Sequence, residues 1–293
     1  MSTQSLWVEI DGQRMHCLKA GSGPPLLLVH GLLGGSFSWR FNVPVLSQRY
    51  TVYAVDALGA GLSDADPQTD CSMARQAVRL AEFVEKVGIR NEEFRVIASS
   101  WGGAVALLFA AQECRVRSLI LCAPVNPWSQ YGSRRVRFLS SATGRLLFHA
   151  AMPFSRPLYG VALRRMYGDP ERIPEGTLEG YVPLTRRPGR PYNLLNTVRH
   201  WRRDLALLPD AIAKISAPTL LVWGTRDMAV DLGSCFSLEE NLENGEHILL
   251  PGVGHLPFEE APDEFNSLAL EFFENDGLNK PCKEKPCKRR LRE

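Results

Sequence analysis

Three side chains in this sequence have the types needed to attack a carbonyl. Ser100 stands in Val96-Ile97-Ala98-Ser99-Ser100-Trp101-Gly102-Gly103, Asp227 in Trp223-Gly224-Thr225-Arg226-Asp227, and His255 in Gly252-Val253-Gly254-His255-Leu256-Pro257. A hydroxyl becomes a nucleophile when an imidazole takes its proton, and a carboxylate orients the imidazole. The chain carries them in the order serine, acid, histidine. The negative oxygen formed in such an attack needs donors. The backbone N–H of Trp101 qualifies, at the amino end of an expected helix where donors lack partners. The second is expected from Leu32, in His30-Gly31-Leu32-Leu33-Gly34-Gly35, with His30 holding that turn in shape.

Two serines compete for the apex of the turn. With Ser99 there, Ile97 and Trp101 would occupy positions that have no room for large side chains. With Ser100 there, those positions hold Ala98 and Gly102, so Ser100 is the candidate. The simpler alternative is a helix start capped by a serine. Among the six histidines, His255 lies in a glycine- and proline-flanked loop after a strand. His16, His149 and His200 fall in a hairpin or in helical stretches and read as surface residues, while His247 begins a strand. Asp227 by itself would be a turn aspartate. After the preceding strand the chain offers Asn126, which cannot serve as the acid.

The elements that must position these groups follow from the apolar pattern. Residues 6–10 and 13–18 flank Asp11-Gly12 and predict a hairpin. Residues 25–29 form a continuous apolar run suited to a strand buried on both faces. A helix is expected around residues 39–47, then a strand at 51–55 and an amphipathic helix over 72–87. Strands at 94–98 and 116–123 flank a helix at 102–112. This alternation predicts a parallel, doubly wound sheet. From residue 124 to about 208 the strands stop and helical patches appear at 135–150, 157–167 and 192–205. Strands resume at 218–224 and 247–250, and a helix closes the pattern at 262–274.

In these motifs the sequence resembles the α/β-hydrolase superfamily. The resemblance rests on His30-Gly31, Asp56 with Gly59-Ala60-Gly61-Leu62-Ser63-Asp64, Ala98-x-Ser100-x-Gly102-Gly103, Gly224-x-x-Asp227 and Gly254-His255, and covers residues 6–274. Ala98 departs from the pattern, which commonly has glycine there. The resemblance implies an α/β-hydrolase fold, with a mostly parallel eight-stranded sheet flanked by helices and a helical cap inserted after the sixth strand. It implies a core of residues 1–123 and 209–275, a cap of 124–208, and a basic, disordered tail of 276–293. Ser100 is then nucleophile, His255 base and Asp227 its orienter, with Leu32 and Trp101 as oxyanion donors and no cofactor or metal. The implied activity is cleavage of a carboxylic ester or lactone of a small, largely apolar substrate. The alternatives are a carbon–carbon bond hydrolase with the same triad, or a hydrolase-fold receptor with little turnover. Epoxide hydrolases and haloalkane dehalogenases carry an aspartate at the elbow, so the serine sets them aside.

Composition narrows the partners. A hydrophobic share of 45%, a charged share of 23% and a net charge of +2 belong to an ordinary globular chain and give no reason to expect nucleic acid. Residues 280–293 hold seven Lys or Arg against two Glu, which leaves the body mildly acidic. No apolar run reaches the length of a membrane span, and the amino terminus lacks the pattern of a secretory signal. Seven cysteines, odd in number, read as reduced thiols of a cytoplasmic protein. The expected partner is a small-molecule substrate. Phe37, Asn126, Trp128 and Tyr131 are placed to line its cavity. The arginines of the cap (Arg186, Arg187, Arg190, Arg199, Arg202, Arg203) read as a solvated helix face, with attraction of an anionic substrate as the alternative.

Overall fold

The computed structural model describes residues 3–129 and 133–275; Tyr131 and the basic tail lie outside the described residues. Eight strands form one sheet: β1 (Gln4–Ile10), β2 (Gln13–Ala20), β3 (Pro25–Val29), β4 (Thr51–Val55), β5 (Phe94–Ser99), β6 (Val116–Cys122), β7 (Thr219–Gly224) and β8 (Gly245–Leu250). Their spatial order is β1-β2-β4-β3-β5-β6-β7-β8. The hairpin strands β1 and β2 run antiparallel, β2 is antiparallel to β4, and all other neighbours are parallel. The hairpin turns where expected, with Asp11 and Gly12 both at positive φ.

Successive strand residues face opposite sides, and the sequence loads both sides with apolar groups. Leu27, Val29, Val96, Leu119 and Leu221 join one core, while Leu26, Leu28, Ile97, Ile120 and Leu220 join the other. Helices cover both faces: α1 (Val43–Leu46), α2 (Met73–Lys86) and α3 (Ser100–Ala110) in the first half of the chain, then α9 (Leu208–Ile212), α10 (Gly233–Asn241), α11 (Pro257–Glu260) and α12 (Pro262–Asn275) in the last part. Ser72 caps α2 by accepting a hydrogen bond from the Arg75 N–H at 3.2 Å. The α3 helix is apolar on all sides and buried from Trp101 to Phe109.

Between β6 and β7 come α4 (Ser133–Ser140), α5 (Ala142–Ala151), α6 (Ser155–Met166), α7 (Thr177–Thr185) and α8 (Arg190–Leu205), and no strand among the described residues. These helices cap the carboxyl ends of the strands. Asp204 of α8 accepts from the Met73 N–H at 2.7 Å, and Asn196 accepts from the Cys71 N–H at 2.8 Å.

Several boundaries differ from expectation, each for a local reason. The helix expected at 39–47 is a 3-10 turn at Ser36–Trp39 followed by the short α1, with Pro44 at its start. The patch at 135–150 is two helices, separated where Ser141 caps α5. The helix α7 was not expected, because it holds Gly180 and Pro183. Nor was α10, whose hydrophobic residues follow no one-sided pattern.

Candidate active site

Ser99 ends β5 and Ser100 begins α3, so the chain passes from strand to helix with no residue between. Ser99 is extended (φ −122°), whereas Ser100 has φ +53°. An L-residue in that region is strained by roughly 1–2 kcal/mol. The strain lifts Ser100 to the apex and leaves Ser99 buried. Gly102 makes the turn possible. A Cβ there would collide with the backbone carbonyl oxygen of His30, so α3 could not lie against the end of β3. The methyl of Ala98, the departure from the common pattern, is fully buried in β5.

His255 and Asp227 follow β8 and β7 and meet across their loops. His255 Nδ1 lies 2.8 Å from Asp227 Oδ2, with both side chains almost wholly buried. The other carboxylate oxygen, Oδ1, accepts the N–H groups of Ala229 (2.7 Å) and Val230 (3.1 Å). The carboxylate is thus fixed before it reaches the imidazole. The two loops approach through backbone alone: a Cβ on Gly224 would strike the carbonyl oxygens of Val253 and Gly254.

The cap holds the histidine loop from the other side. The His255 N–H donates to the Met166 carbonyl at 2.6 Å. The carboxylate of Glu260 gathers the N–H groups of Gly254 (2.7 Å), Gly168 (2.9 Å) and Asp169 (3.0 Å). Its neighbour Glu259 accepts from Arg40 at 2.5 Å, from Tyr167 at 2.8 Å and from Tyr181. Burial and the Glu259 charge push the phenols of Tyr167 and Tyr181 well above their usual range. In sequence this acidic pair looks like ordinary first-turn charge on a short helix. Its cap partners lie 78 to 92 residues away and Arg40 lies 219 away, so no local signal marks it.

His30 is fully buried beneath the Gly31–Leu32 turn. Its Nδ1 donates to the Gly31 carbonyl at 2.8 Å, and its Nε2 accepts from the Ala57 N–H at 3.2 Å. Burial lowers the imidazole's pKa, against the pull of Asp56 and the Gly31 carbonyl, so the ring is neutral. His16 is a correction. It is not a surface residue but fully buried, with Nδ1 2.7 Å from Asp56 Oδ2 and Nε2 2.7 Å from the Ser5 hydroxyl. Asp56 also accepts from Ser36 and Leu62 N–H groups. Burial works against its charge, but the His16 hydrogen bond, His30 and these donors outweigh it and hold the carboxyl below its usual range.

A cavity of about 270 Å³ opens above Ser100. Ser99, Ser100, Leu32, Asn126 and His255 line it on the sheet side, and Leu163, Val198, Trp201 and Tyr159 on the cap side. Asn126 is held on every side. Its Nδ2 donates to Pro124 and Ser234, each at 3.0 Å, and its Oδ1 accepts from the N–H groups of Trp128 and Ser129. Phe37 and Trp128 do not line this cavity. Phe37 instead packs edge-on against Tyr181, with Arg40 over its face, and Trp128 packs on the core. Among the cap arginines, Arg186, Arg199, Arg202 and Arg203 are exposed as expected, but Arg190 is buried.

A family model described as the alpha/beta hydrolase family matches residues 26–268. Haloalkane dehalogenase 2 of Mycobacterium tuberculosis (strain ATCC 25618 / H37Rv) is 26% identical over 292 residues, covering 92% of this chain and 95% of its own length. A soluble epoxide hydrolase of Corynebacterium sp. (strain C12) is 28% identical over 283 residues, covering 90% and 95%. Among solved structures, the epoxide hydrolase CorEH without ligand is similar with a TM-score of 0.82 and 24% identity, covering 93% of this chain and 99% of that one. This last likeness speaks to the fold alone.

Proposed function

The chain belongs to the α/β hydrolase family, and from that premise we propose that it cleaves a carboxylic ester or lactone of a small, largely apolar substrate through Ser100, His255 and Asp227. The observation that carries this reading is the 2.8 Å contact between His255 and Asp227 beside a cavity that Ser100 lines from a strained turn. His255 takes the proton of Ser100 as its oxygen attacks the carbonyl carbon. Asp227 keeps the imidazole oriented and stabilises its charged form. The N–H groups of Leu32 and Trp101 hold the oxyanion, each contributing about 3 kcal/mol to lowering the barrier. The imidazolium then protonates the departing alcohol, and water activated by His255 releases the acid.

Serine chemistry separates this chain from the activities for which two of its relatives are named. A serine oxygen that displaced a halide or opened an epoxide would form an ether. Water activated by a histidine attacks an acyl carbon and does not cleave such a bond. A carboxylate at the same place would form an ester, which that water can hydrolyse. The apolar cap side of the cavity supports an apolar acyl or aryl group next to the reacting carbonyl.

A reactive fluorophosphonate followed by peptide mapping tests the proposal, alongside turnover of aryl esters and lactones. Labelling at Ser100, with turnover lost in a folded Ser100→Ala protein, is the expected result. Unchanged ester turnover by Ser100→Ala would sink it.

A further inference from the structure

The cap turns apolar side chains outward as well as inward. Residues 133–166 hold seven arginines and no aspartate or glutamate, which leaves the rest of the chain with a net charge of −5. Large apolar side chains stand exposed between these arginines. Leu146 and Phe154 are 70% and 65% exposed, and Leu147, Leu158 and Val161 about half. Single exposed apolar residues are ordinary on a globular surface, but these fall into ordered stripes.

On α5 the exposed positions Thr143, Leu146, Leu147 and Ala150 recur at i, i+3, i+4 and i+7, which is one face of a helix. On α6 they include Leu158, Val161 and Arg165, with Phe154 one turn before Leu158. The inner sides of the same helices are apolar too. Tyr159, Leu163 and Met166 of α6 line the cavity above Ser100. Phe148 and Ala151 of α5 line a separate space together with Leu158. Both helices are therefore apolar on two sides, and a helix of that kind is ordinarily covered on both. Since Phe148 and Leu158 wall one space, α5 and α6 stand side by side and turn their outer stripes away from the core together.

The charge on this face says what covers it. Arg145, Arg164 and Arg165 are exposed beside the stripes and have no carboxylate partner among the described residues, whereas Arg156 pairs with Glu179 of α7. A second copy laid on this face would oppose arginine to arginine. The basic segment 280–293 carries the same sign and is repelled as well. Anionic lipid meets both requirements: aliphatic and aromatic side chains enter the acyl boundary at any spacing, while guanidinium groups stay among the phosphates. No helix among the described residues is long and apolar enough to cross a membrane, so the pair would lie in the surface.

We propose that the outer face of α5 and α6 docks the protein on a membrane surface rich in anionic lipid, with the leucines and Phe154 in the acyl boundary and the arginines at the headgroups. This docking is independent of the hydrolase reading.

Sedimentation of the full chain with lipid vesicles tests it. The protein is expected to pellet with vesicles of equal parts phosphatidylcholine and phosphatidylglycerol, to stay in solution with phosphatidylcholine alone, and to be released by salt. The triple variant Leu146→Ser, Leu147→Ser, Val161→Ser keeps every arginine and the basic tail, and none of its positions lines either cavity. It is expected to lose about tenfold or more in vesicle affinity. Arg145→Gln combined with Arg164→Gln and Arg165→Gln is expected to abolish the preference for phosphatidylglycerol. All these positions are exposed, so both variants are expected to fold, which circular dichroism checks. Undiminished binding by the serine variant would assign the lipid contact to the basic tail and overturn the docking face. Failure of the unmodified protein to bind either vesicle would overturn it too, as would a dimer in solution that the serine variant dissociates. Turnover of soluble esters is read separately. Vesicle binding without turnover would keep the docking face and overturn the hydrolase reading, and turnover without vesicle binding would do the reverse.

Discussion

Glu260 accepts the N–H of Gly254 at 2.7 Å, and through that bond it holds the residue next to His255. The same carboxylate receives Gly168 and Asp169 from the cap. Glu260→Ala strands three donors in a largely buried place. It is expected to lower unfolding free energy by roughly 2–4 kcal/mol in urea titration. Glu260→Gln keeps one acceptor oxygen and is expected to retain the fold while reducing kcat more than it changes KM. Steady-state ester kinetics check that split, which a purely structural role would not produce.

The φ of +53° at Ser100 opposes chemistry to stability. Glycine adopts that conformation without the Cβ penalty. Ser100→Gly is therefore expected to unfold at higher urea, by about 1 kcal/mol, while losing ester turnover. Ser100→Ala loses turnover too but keeps the strain, so its stability stays near that of the unmodified chain. A Ser100→Gly protein no more stable than Ser100→Ala would contradict the elbow geometry.

Asp227→Asn keeps an acceptor for the Ala229 and Val230 N–H groups, but it presents an amide to His255. The imidazole is then held in the wrong tautomer or not held at all. A fall in kcat on the order of 10⁴-fold is expected, by analogy with the same change in serine proteases. Fluorophosphonate labelling should slow in parallel. Circular dichroism checks that the fold remains.

Two buried groups make stability fall on acidification. The pKa of His30 is depressed, so below pH ~6.5 the unfolded chain takes up a proton that the folded His30 refuses. Stability then declines by at most about 1.4 kcal/mol per pH unit for one group. The depressed carboxyl of Asp56 acts later. Its contribution is complete above about pH 4 and is lost as the pH falls through its folded value. Urea midpoints measured across this range should drop steadily, and His30→Asn should flatten the portion between about pH 6.5 and 5.

Local pattern carried the core of this fold. The strands from β3 onward, the elbow and the two loops after β7 and β8 are legible because apolar runs and punctuating glycines act over a few residues. His16 was misread because alternation in a hairpin says which face a side chain takes, not what covers that face. The cover is Asp56, 40 residues on. The pocket expectations for Phe37 and Trp128 failed on direction, since nearness to a catalytic loop does not aim a ring into the cavity. Glu259 and Glu260 could not be singled out at all, because Tyr167, Tyr181, Gly168 and Asp169, which donate to them, come beside them only in the folded chain.

The bonds that join cap to core include those of Met166, Tyr167, Gly168, Asp169, Tyr181, Arg190, Asn196 and Asp204. The walls formed by Phe148, Ala151, Met152 and Leu158 take no part in those bonds, yet they bound a cavity of about 170 Å³ that Gly31 and Leu32 also line. The molecule therefore divides into a fixed frame and an adjustable wall. Redesign of substrate size belongs on that wall, where bulk can be added or removed while the frame that seats His255 stays as it is.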